Sequence, residues 1–192
     1  MEKSNKKLAI IILAAGKSSR LEDETKQLLK HKNKTLLEIA VKKALEVTSN
    51  VFVVLGFDKQ RCENEIKKYN INILYNENYE KGIGSSISFG IRNTKDFEHT
   101  MIMLADQPFI PLVHIQALKD FLIEGKLIAS SYDNELCVPA IFPKILYPFL
   151  MNLNEDKGAK SILKKNSCLI LNLNKEYAVD IDTKEDKNRY LD

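Results

Sequence analysis

The feature that most constrains this 192-residue chain is a recurring unit: a short, unbroken apolar run, a turn, then a helical stripe. The first run, Leu8-Ala-Ile-Ile-Ile-Leu13, leaves no polar position to face solvent. It therefore reads as a strand covered on both faces. Val51 to Leu55, Ile71 to Leu74 and Thr100 to Leu104 repeat the pattern. Between the strands lie helical stretches. One follows Thr35-Leu-Leu-Glu38, a capping-box pattern, and carries an apolar stripe of Leu36, Leu37, Ala40, Val41, Ala44 and Leu45. Asp58 to Tyr69 predicts a second helix, Ser85 to Arg92 a third, and Pro111 can open a fourth, since proline is tolerated in a first helical turn. Strands alternating with helices imply βαβ units with right-handed crossovers. The expected fold is α/β, with a mostly parallel sheet and helices on both faces.

After about Leu127 the alternation breaks. Leu127 to Ser131 and Val138 to Phe142 are weaker strand candidates, Asp156 to Lys165 predicts a helix, and Cys168 to Leu173 returns to a strand pattern. Val179 to Ile181 is read as a last short strand, and Thr183-Lys-Glu-Asp186 as a helix start. No repeat, low-complexity tract or linker divides the chain. One domain over residues 1–192 is expected, in two parts over about 8–126 and about 127–182.

Several function classes are disfavoured. The formal charge is only +3, with basic and acidic residues interspersed, so a clustered nucleic-acid surface is not expected. The longest apolar run, Leu8 to Ala15, is too short to cross a bilayer and makes a poor signal peptide. The three cysteines, Cys62, Cys137 and Cys168, are far apart and form no Cys-x-x-Cys, which suggests neither a disulfide framework nor a zinc site. A cytoplasmic location is expected.

Four segments could carry chemistry. The turn after the first strand, Ala14-Ala-Gly-Lys-Ser-Ser-Arg20, presents small residues that let a ligand approach the backbone. Its N–H groups can form an anion-binding nest, Ser18 and Ser19 add hydroxyls, and Lys17, Arg20 and Lys26 add charge. With one glycine it is neither a Walker loop nor a Gly-x-Gly-x-x-Gly turn. In Leu104-Ala-Asp106-Gln-Pro108, an aspartate sits just past a buried strand, at the sheet edge where α/β proteins bind ligands. Such a carboxylate suits Mg2+, which takes one or two carboxylates alongside waters and substrate phosphates. Asp180-Ile-Asp182-Thr183 could supply a second carboxylate, since i and i+2 on a strand face the same side. Lys81-Gly-Ile-Gly-Ser-Ser86 could cup a base or ribose. Taken singly, each is also consistent with a polar connection, a turn, a helix cap or a loop tip.

Together their order is more specific. Leu13-Ala-Ala-Gly-Lys-Ser-Ser-Arg20, Lys26-Gln-Leu-Leu29, Gly82-Ile-Gly-Ser-Ser86, Leu104-Ala-Asp-Gln-Pro108 and Asp180-Ile-Asp-Thr-Lys-Glu-Asp186 resemble the molybdenum cofactor cytidylyltransferase family, within the molybdopterin-guanine-type NTP transferases. Asn154-Glu-Asp-Lys-Gly-Ala-Lys-Ser-Ile-Leu163 and Val138-Pro-Ala-Ile-Phe142 resemble that family's acceptor half. The resemblance implies a Rossmann-like nucleotidyltransferase fold, with a nucleotide-binding half over about 8–126 and an acceptor-binding half over about 127–182. It implies CTP as donor, molybdenum-loaded molybdopterin as acceptor, Mg2+ as cofactor and a molybdenum hydroxylase as eventual recipient of the product. It implies nucleotide binding by Leu13, Ala14, Ala15, Gly16, Lys26, Gly82, Ser85 and Ser86. It further implies catalytic roles for Arg20, Lys26 and Asp106, and a metal held by Asp106 and Asp182. The chain departs from the family where Leu21-Glu22 replaces Met-Gly, where the arginine-to-lysine spacing is longer by one, and where Cys137-Val138-Pro139 replaces Gly-His-Pro.

Overall fold

A computed structural model describes residues 7–21, 24–154 and 157–191. Nine strands occur among them: β1 (Leu8–Ala14), β2 (Lys30–His31), β3 (Lys34–Thr35), β4 (Val51–Leu55), β5 (Asn72–Tyr75), β6 (His99–Leu104), β7 (Leu127–Tyr132), β8 (Glu135–Pro143) and β9 (Cys168–Asn172). The helices are α1 (Leu36–Leu45), α2 (Lys59–Ile66), α3 (Ile83–Asn93), α4 (Leu112–Asp120), α5 (Tyr147–Met151), α6 (Lys160–Lys165) and α7 (Lys184–Tyr190). Seven strands form one sheet in the order β5-β4-β1-β6-β8-β7-β9, and β2 pairs with β3 in a separate hairpin. Within the large sheet β8 alone runs against its neighbours. The others are parallel, as the alternating first half requires.

β1 shows why the sheet must be sandwiched. Leu8, Ile10, Ile12 and Ala14 pack on one face with Leu37, Val41 and Ala44 of α1, Ile66 of α2 and Ile115 and Leu118 of α4. Ile11 and Leu13 pack on the other with Ile87 and Ile91 of α3, Leu150 of α5 and Leu163 of α6. Each fully buried side chain of this kind contributes roughly 1.5–3 kcal/mol before the entropy of ordering it is subtracted.

The strand order reverses between β1 and β6: the chain runs from β1 outwards through β4 and β5, then returns to the other side of β1. In an open α/β sheet a crevice forms at such a switch point, beyond the carboxyl ends of the strands. Here those ends are Ala14 and Leu104, so the loops carrying Gly16 and Asp106 emerge side by side.

Several local expectations need correction. The segment Val179 to Ile181 is not a strand. Its apolar residues instead enter a small satellite cluster with Leu21, Leu29 and Leu36, and Ile181 donates its N–H to the Asp106 carbonyl (2.9 Å). Helix α2 is shorter than Asp58 to Tyr69: Asp58 sits in the left-handed region (φ 52°), outside the helix. Pro111 caps α4 rather than occupying its first turn. The helix expected from Asp156 begins at Lys160, and Glu155 and Asp156 lie outside the described residues, as do Glu22 and the first six residues. The Thr35 cap forms, its hydroxyl accepting from the Glu38 N–H (3.1 Å), while the Glu38 carboxylate accepts from the Tyr69 hydroxyl (2.6 Å).

Candidate functional site

A cavity of about 420 Å3 opens at the switch point. Its walls come from the end of β1 and its turn (Leu13 to Lys17), the start of α3 (Gly82, Ile83, Ser86), Tyr79 and Glu80, and Leu104 to Asp106. A Cβ added at Gly16 would meet nothing within 4 Å, so this turn presents bare backbone to the cavity. The turn is braced from behind. Gln27 donates to the Gly16 carbonyl (3.1 Å), and the Ser18 hydroxyl accepts from the Lys26 N–H (2.9 Å). Ser18 is thus a structural residue, held at φ 57°, rather than a free donor for a ligand.

On the opposite wall Gly82 has φ 91°, a conformation suited to glycine, and caps α3. The first turn of this 11-residue helix, with its unsatisfied N–H groups and positive dipole end, thereby meets the cavity. Gly84 lets α3 approach the backbone of Asn154, where a Cβ would come within 2.6 Å of the carbonyl oxygen. Ser85 does not line the cavity. Its hydroxyl donates to the Asn78 and Gly82 carbonyls (2.8 and 3.0 Å). Both Ser85 and Ser86 accept from the side chain of buried Asn76 (3.0 Å each). Asn76 escaped sequence reasoning, although its position just past β5 obeys the same strand-end rule that marked Asp106.

At the cavity floor three distant segments converge on one ammonium. Lys26 Nζ donates to Asp106 Oδ2 and to Asp182 Oδ1 (2.8 Å), residues 80 and 156 positions away. Arg20 reaches the other Asp182 oxygen (3.3 Å) from a largely exposed position and does not line the cavity. Burial pushes the Lys26 ammonium down, but the carboxylates of Asp106 and Asp182 outweigh it, and its pKa is raised above the ordinary lysine value. Asp182 is fixed by the Ile181–Asp106 backbone bond on one side. On the other is the full capping box of α7, in which Thr183 and Asp186 satisfy each other's backbone N–H groups.

Asp180 and Asp182 part company, because the segment that carries them is not a strand. Asp180 accepts from Gln107 Nε2 (2.7 Å) and lines a second cavity of about 200 Å3. Leu13, Ile83 and Leu104 belong to both cavities, so the two adjoin. The second is walled mainly by apolar side chains, among them Ile87, Ile102, Leu136, Val138 and Leu163, with Glu135 and Lys160 at its margin. Desolvation by the surrounding protein, aided by the nearby Asp106 charge, pushes the Asp180 carboxyl up although the residue keeps an exposed edge.

Among the described residues no group of three or more His, Cys, Asp or Glu side chains is placed to hold a metal ion. Mg2+ does not need one, since it keeps waters and takes one or two carboxylates with substrate phosphates. Asp106 meets that chemistry. Its Oδ1 is buried without a hydrogen-bond partner, an acceptor left open beside the Lys26-bound oxygen. Asp182, joined to Asp106 through Lys26, could supply the second carboxylate.

Of the residues singled out from sequence, Leu13, Ala14, Ala15, Gly16, Lys26, Gly82, Ser86 and Asp106 line the cavity at the switch point. Asp182 and Arg20 stand at its charged edge through Lys26, and Ser85 braces it from behind. Among the described residues, no helix is long and apolar enough to cross a membrane.

The family model described as a MobA-like NTP transferase domain matches residues 10–169. The chain is 24% identical over 192 residues to the molybdenum cofactor cytidylyltransferase of Escherichia coli (strain K12), covering 95% of this chain and 96% of that protein. It is 27% identical over 166 residues to the purine catabolism protein PucB of Bacillus subtilis (strain 168), covering 80% of this chain and 79% of that one. The fold superposes on Rv0371c of Mycobacterium tuberculosis H37Rv, crystallised as a complex with manganese, with a TM-score of 0.83 and 20% identity over 96% of this chain and 98% of that one.

Proposed function

The chain belongs to the MobA-like NTP transferase domain family, and from that premise we propose that it transfers CMP from CTP to molybdenum-loaded molybdopterin, releasing pyrophosphate. The observation that carries the reading is the convergence of Asp106 and Asp182 on Lys26, at the floor of a cleft whose walls are a bare glycine turn and a helix N-terminus. Similarity to the E. coli cytidylyltransferase over nearly the whole chain supports CTP and this acceptor.

In this reading residues 8–126 supply the nucleotide cleft. Residues 127–182, with Asp180 and Gln107, complete the adjoining apolar cavity that takes the acceptor. The backbone of Ala14 to Gly16 approaches the phosphates, and Gly82, Ile83 and Ser86 face the nucleoside. An acceptor phosphate oxygen attacks the α-phosphorus of CTP. A new P–O bond forms, the bond from the α-phosphorus to its bridging oxygen breaks, and pyrophosphate departs in line. The attacking phosphate is already ionised at neutral pH, so no general base is required.

Catalysis then rests on placement and charge. The chain's part is to hold both phosphates in adjoining cavities, to exclude water with the apolar walls, and to offset charge with Lys26 and Arg20. Asp106 and Asp182 would hold Mg2+, whose contribution when bound is to neutralise negative charge on the triphosphate. A matrix of CTP, GTP, ATP and UTP against molybdopterin, sugar phosphates and alditol phosphates, read by pyrophosphate release, tests the proposal. Turnover with CTP and molybdopterin is expected. Release that is fastest with a sugar or alditol phosphate, or absent throughout while ligands bind, would contradict it.

A further inference from the structure

The two carboxylates proposed to hold a divalent cation are already occupied by one of the chain's own cations. Lys26 Nζ is bonded to Asp106 Oδ2 and Asp182 Oδ1 at once, and Arg20 covers Asp182 Oδ2. An ammonium between the carboxylates occupies one oxygen of each and repels a divalent ion approaching both. Yet the Lys26 side chain also lines the cavity proposed for the triphosphate. Its backbone is anchored, the N–H donating to Ser18 Oγ (2.9 Å), so a change of partner needs only rotation of the four-carbon stem. The remaining Asp106 oxygen, Oδ1, is buried and unpartnered, which leaves an entry point for an incoming cation.

From this arrangement we propose that Lys26 is an exchangeable counter-cation. Its ammonium holds Asp106 and Asp182 together in the resting protein, and on cation and nucleotide binding it turns from the carboxylates to the triphosphate. The inference rests on the reading of Asp106 and Asp182 as cation ligands, and adds to it that the site is self-blocked and opens only by moving Lys26. The closed form makes the empty site compact at low cost in repulsion. It also makes cation binding weak until a triphosphate offers the ammonium a new partner, so cation and nucleotide enter cooperatively. No covalent bond is made or broken in the exchange.

A ligand whose competent state is populated only fractionally binds more weakly by that fraction. If Lys26 is on the carboxylates at least nine-tenths of the time, removing its charge should tighten cation binding by about ten-fold or more. The test is a Mn2+ titration of the nucleotide-free protein, followed by electron paramagnetic resonance of free Mn2+. The proteins are the natural chain, Lys26→Met, Lys26→Arg and Lys26→Met combined with Asp106→Asn. Lys26→Met should bind Mn2+ at least about ten-fold more tightly than the natural chain, Lys26→Arg no more tightly, and the double variant should lose the gain.

Equal affinity in the natural chain and Lys26→Met would overturn the exchange while leaving the carboxylates as cation ligands. Mn2+ binding that Asp106→Asn does not touch would overturn that ligand assignment and the exchange with it. Should Lys26→Met fail to fold, the natural chain answers alone. The 15N chemical shift of the Lys26 ammonium should move on adding Mg2+ with a non-hydrolysable CTP analogue, because its acceptors change from carboxylate to phosphate oxygens. A shift unchanged at saturation would refute the exchange.

Discussion

Replacing Lys26 by Met removes the ammonium between Asp106 and Asp182 while keeping most of the apolar stem. The structure sets the size of the effect. Asp106 is 13% exposed and Lys26 18%, so their pair is largely withdrawn from water. Removing one partner of a buried pair typically costs about 3–5 kcal/mol, because a charge is left buried without compensation. Asp182 lessens that penalty, since it is 37% exposed and keeps Arg20. Asp180, exposed to solvent but close enough to feel the Asp106 charge, increases it. A loss of about 2–3 kcal/mol follows. In a domain of this size it lowers the melting temperature by about 5–10 °C. The deficit should be repaired by a divalent cation, because the vacated carboxylates then bind it. At 100 times Kd the gain is about 2.7 kcal/mol. The assay is thermal unfolding of both proteins in chelator and across a Mg2+ series. Identical melting temperatures in chelator, or a Mg2+ stabilisation no larger in Lys26→Met than in the natural chain, would refute the electrostatic account of this cluster.

Two further perturbations probe the scaffold around the cleft. Lys43 donates to the carbonyls of Pro108 and Ile110 (2.6 Å each), pinning the loop that follows Asp106, and burial lowers its pKa from 10.5 to about 8. Between those two values the unfolded chain holds a proton that the folded one has lost, so stability from this group rises with pH through that window. Relative to Lys43→Met, the natural chain should gain about 1–2 kcal/mol between pH 8 and 10.5 in urea unfolding, after allowing for solvent screening of the half-buried ammonium. A flat or falling difference would contradict the assignment. Asn76→Ala removes the amide that holds Ser85 and Ser86 and the acceptor that holds the Asn78 N–H (3.0 Å). The KM for nucleotide should rise about ten-fold, corresponding to roughly 1.4 kcal/mol of lost positioning. KM for the acceptor should move less, and equal changes in both would mean that Asn76 serves only general stability.

How much of this was legible in the sequence depends on the range of the interactions involved. β1 and β6 were readable because every residue in their apolar runs must be covered, and that fixed Gly16 and Asp106 at one edge of the sheet. Thr183 and Asp186 were readable because a capping box is local. Val179 and Ile181 misled because alternating apolar residues mark any extended segment with one buried side, whether or not a neighbouring strand completes its hydrogen bonds. That error carried over to the carboxylates: off a strand, Asp180 and Asp182 need not share a face, and Asp180 bonds Gln107 and lines the second cavity while Asp182 pairs with Lys26. The short helix α5 was missed, although Pro148 in its first turn was a usable signal. The β2–β3 hairpin was missed as well, its turn built on Lys32 and Asn33, both at positive φ (49° and 62°). Least legible was the position of Lys26. A side chain whose partners are 80 and 156 residues away leaves no periodic trace, and the resemblance pointed it only at phosphate.

One cation should be held by both Asp106 and Asp182 when a triphosphate fills the cleft. A crystal grown with Mn2+ and a non-hydrolysable CTP analogue, with data collected near the manganese absorption edge, measures this directly. The predicted result is a single anomalous peak within coordination distance of both carboxylates and of the triphosphate, with Lys26 Nζ moved to a phosphate oxygen. A peak distant from both aspartates, with Lys26 still bridging them beneath bound nucleotide, would contradict it.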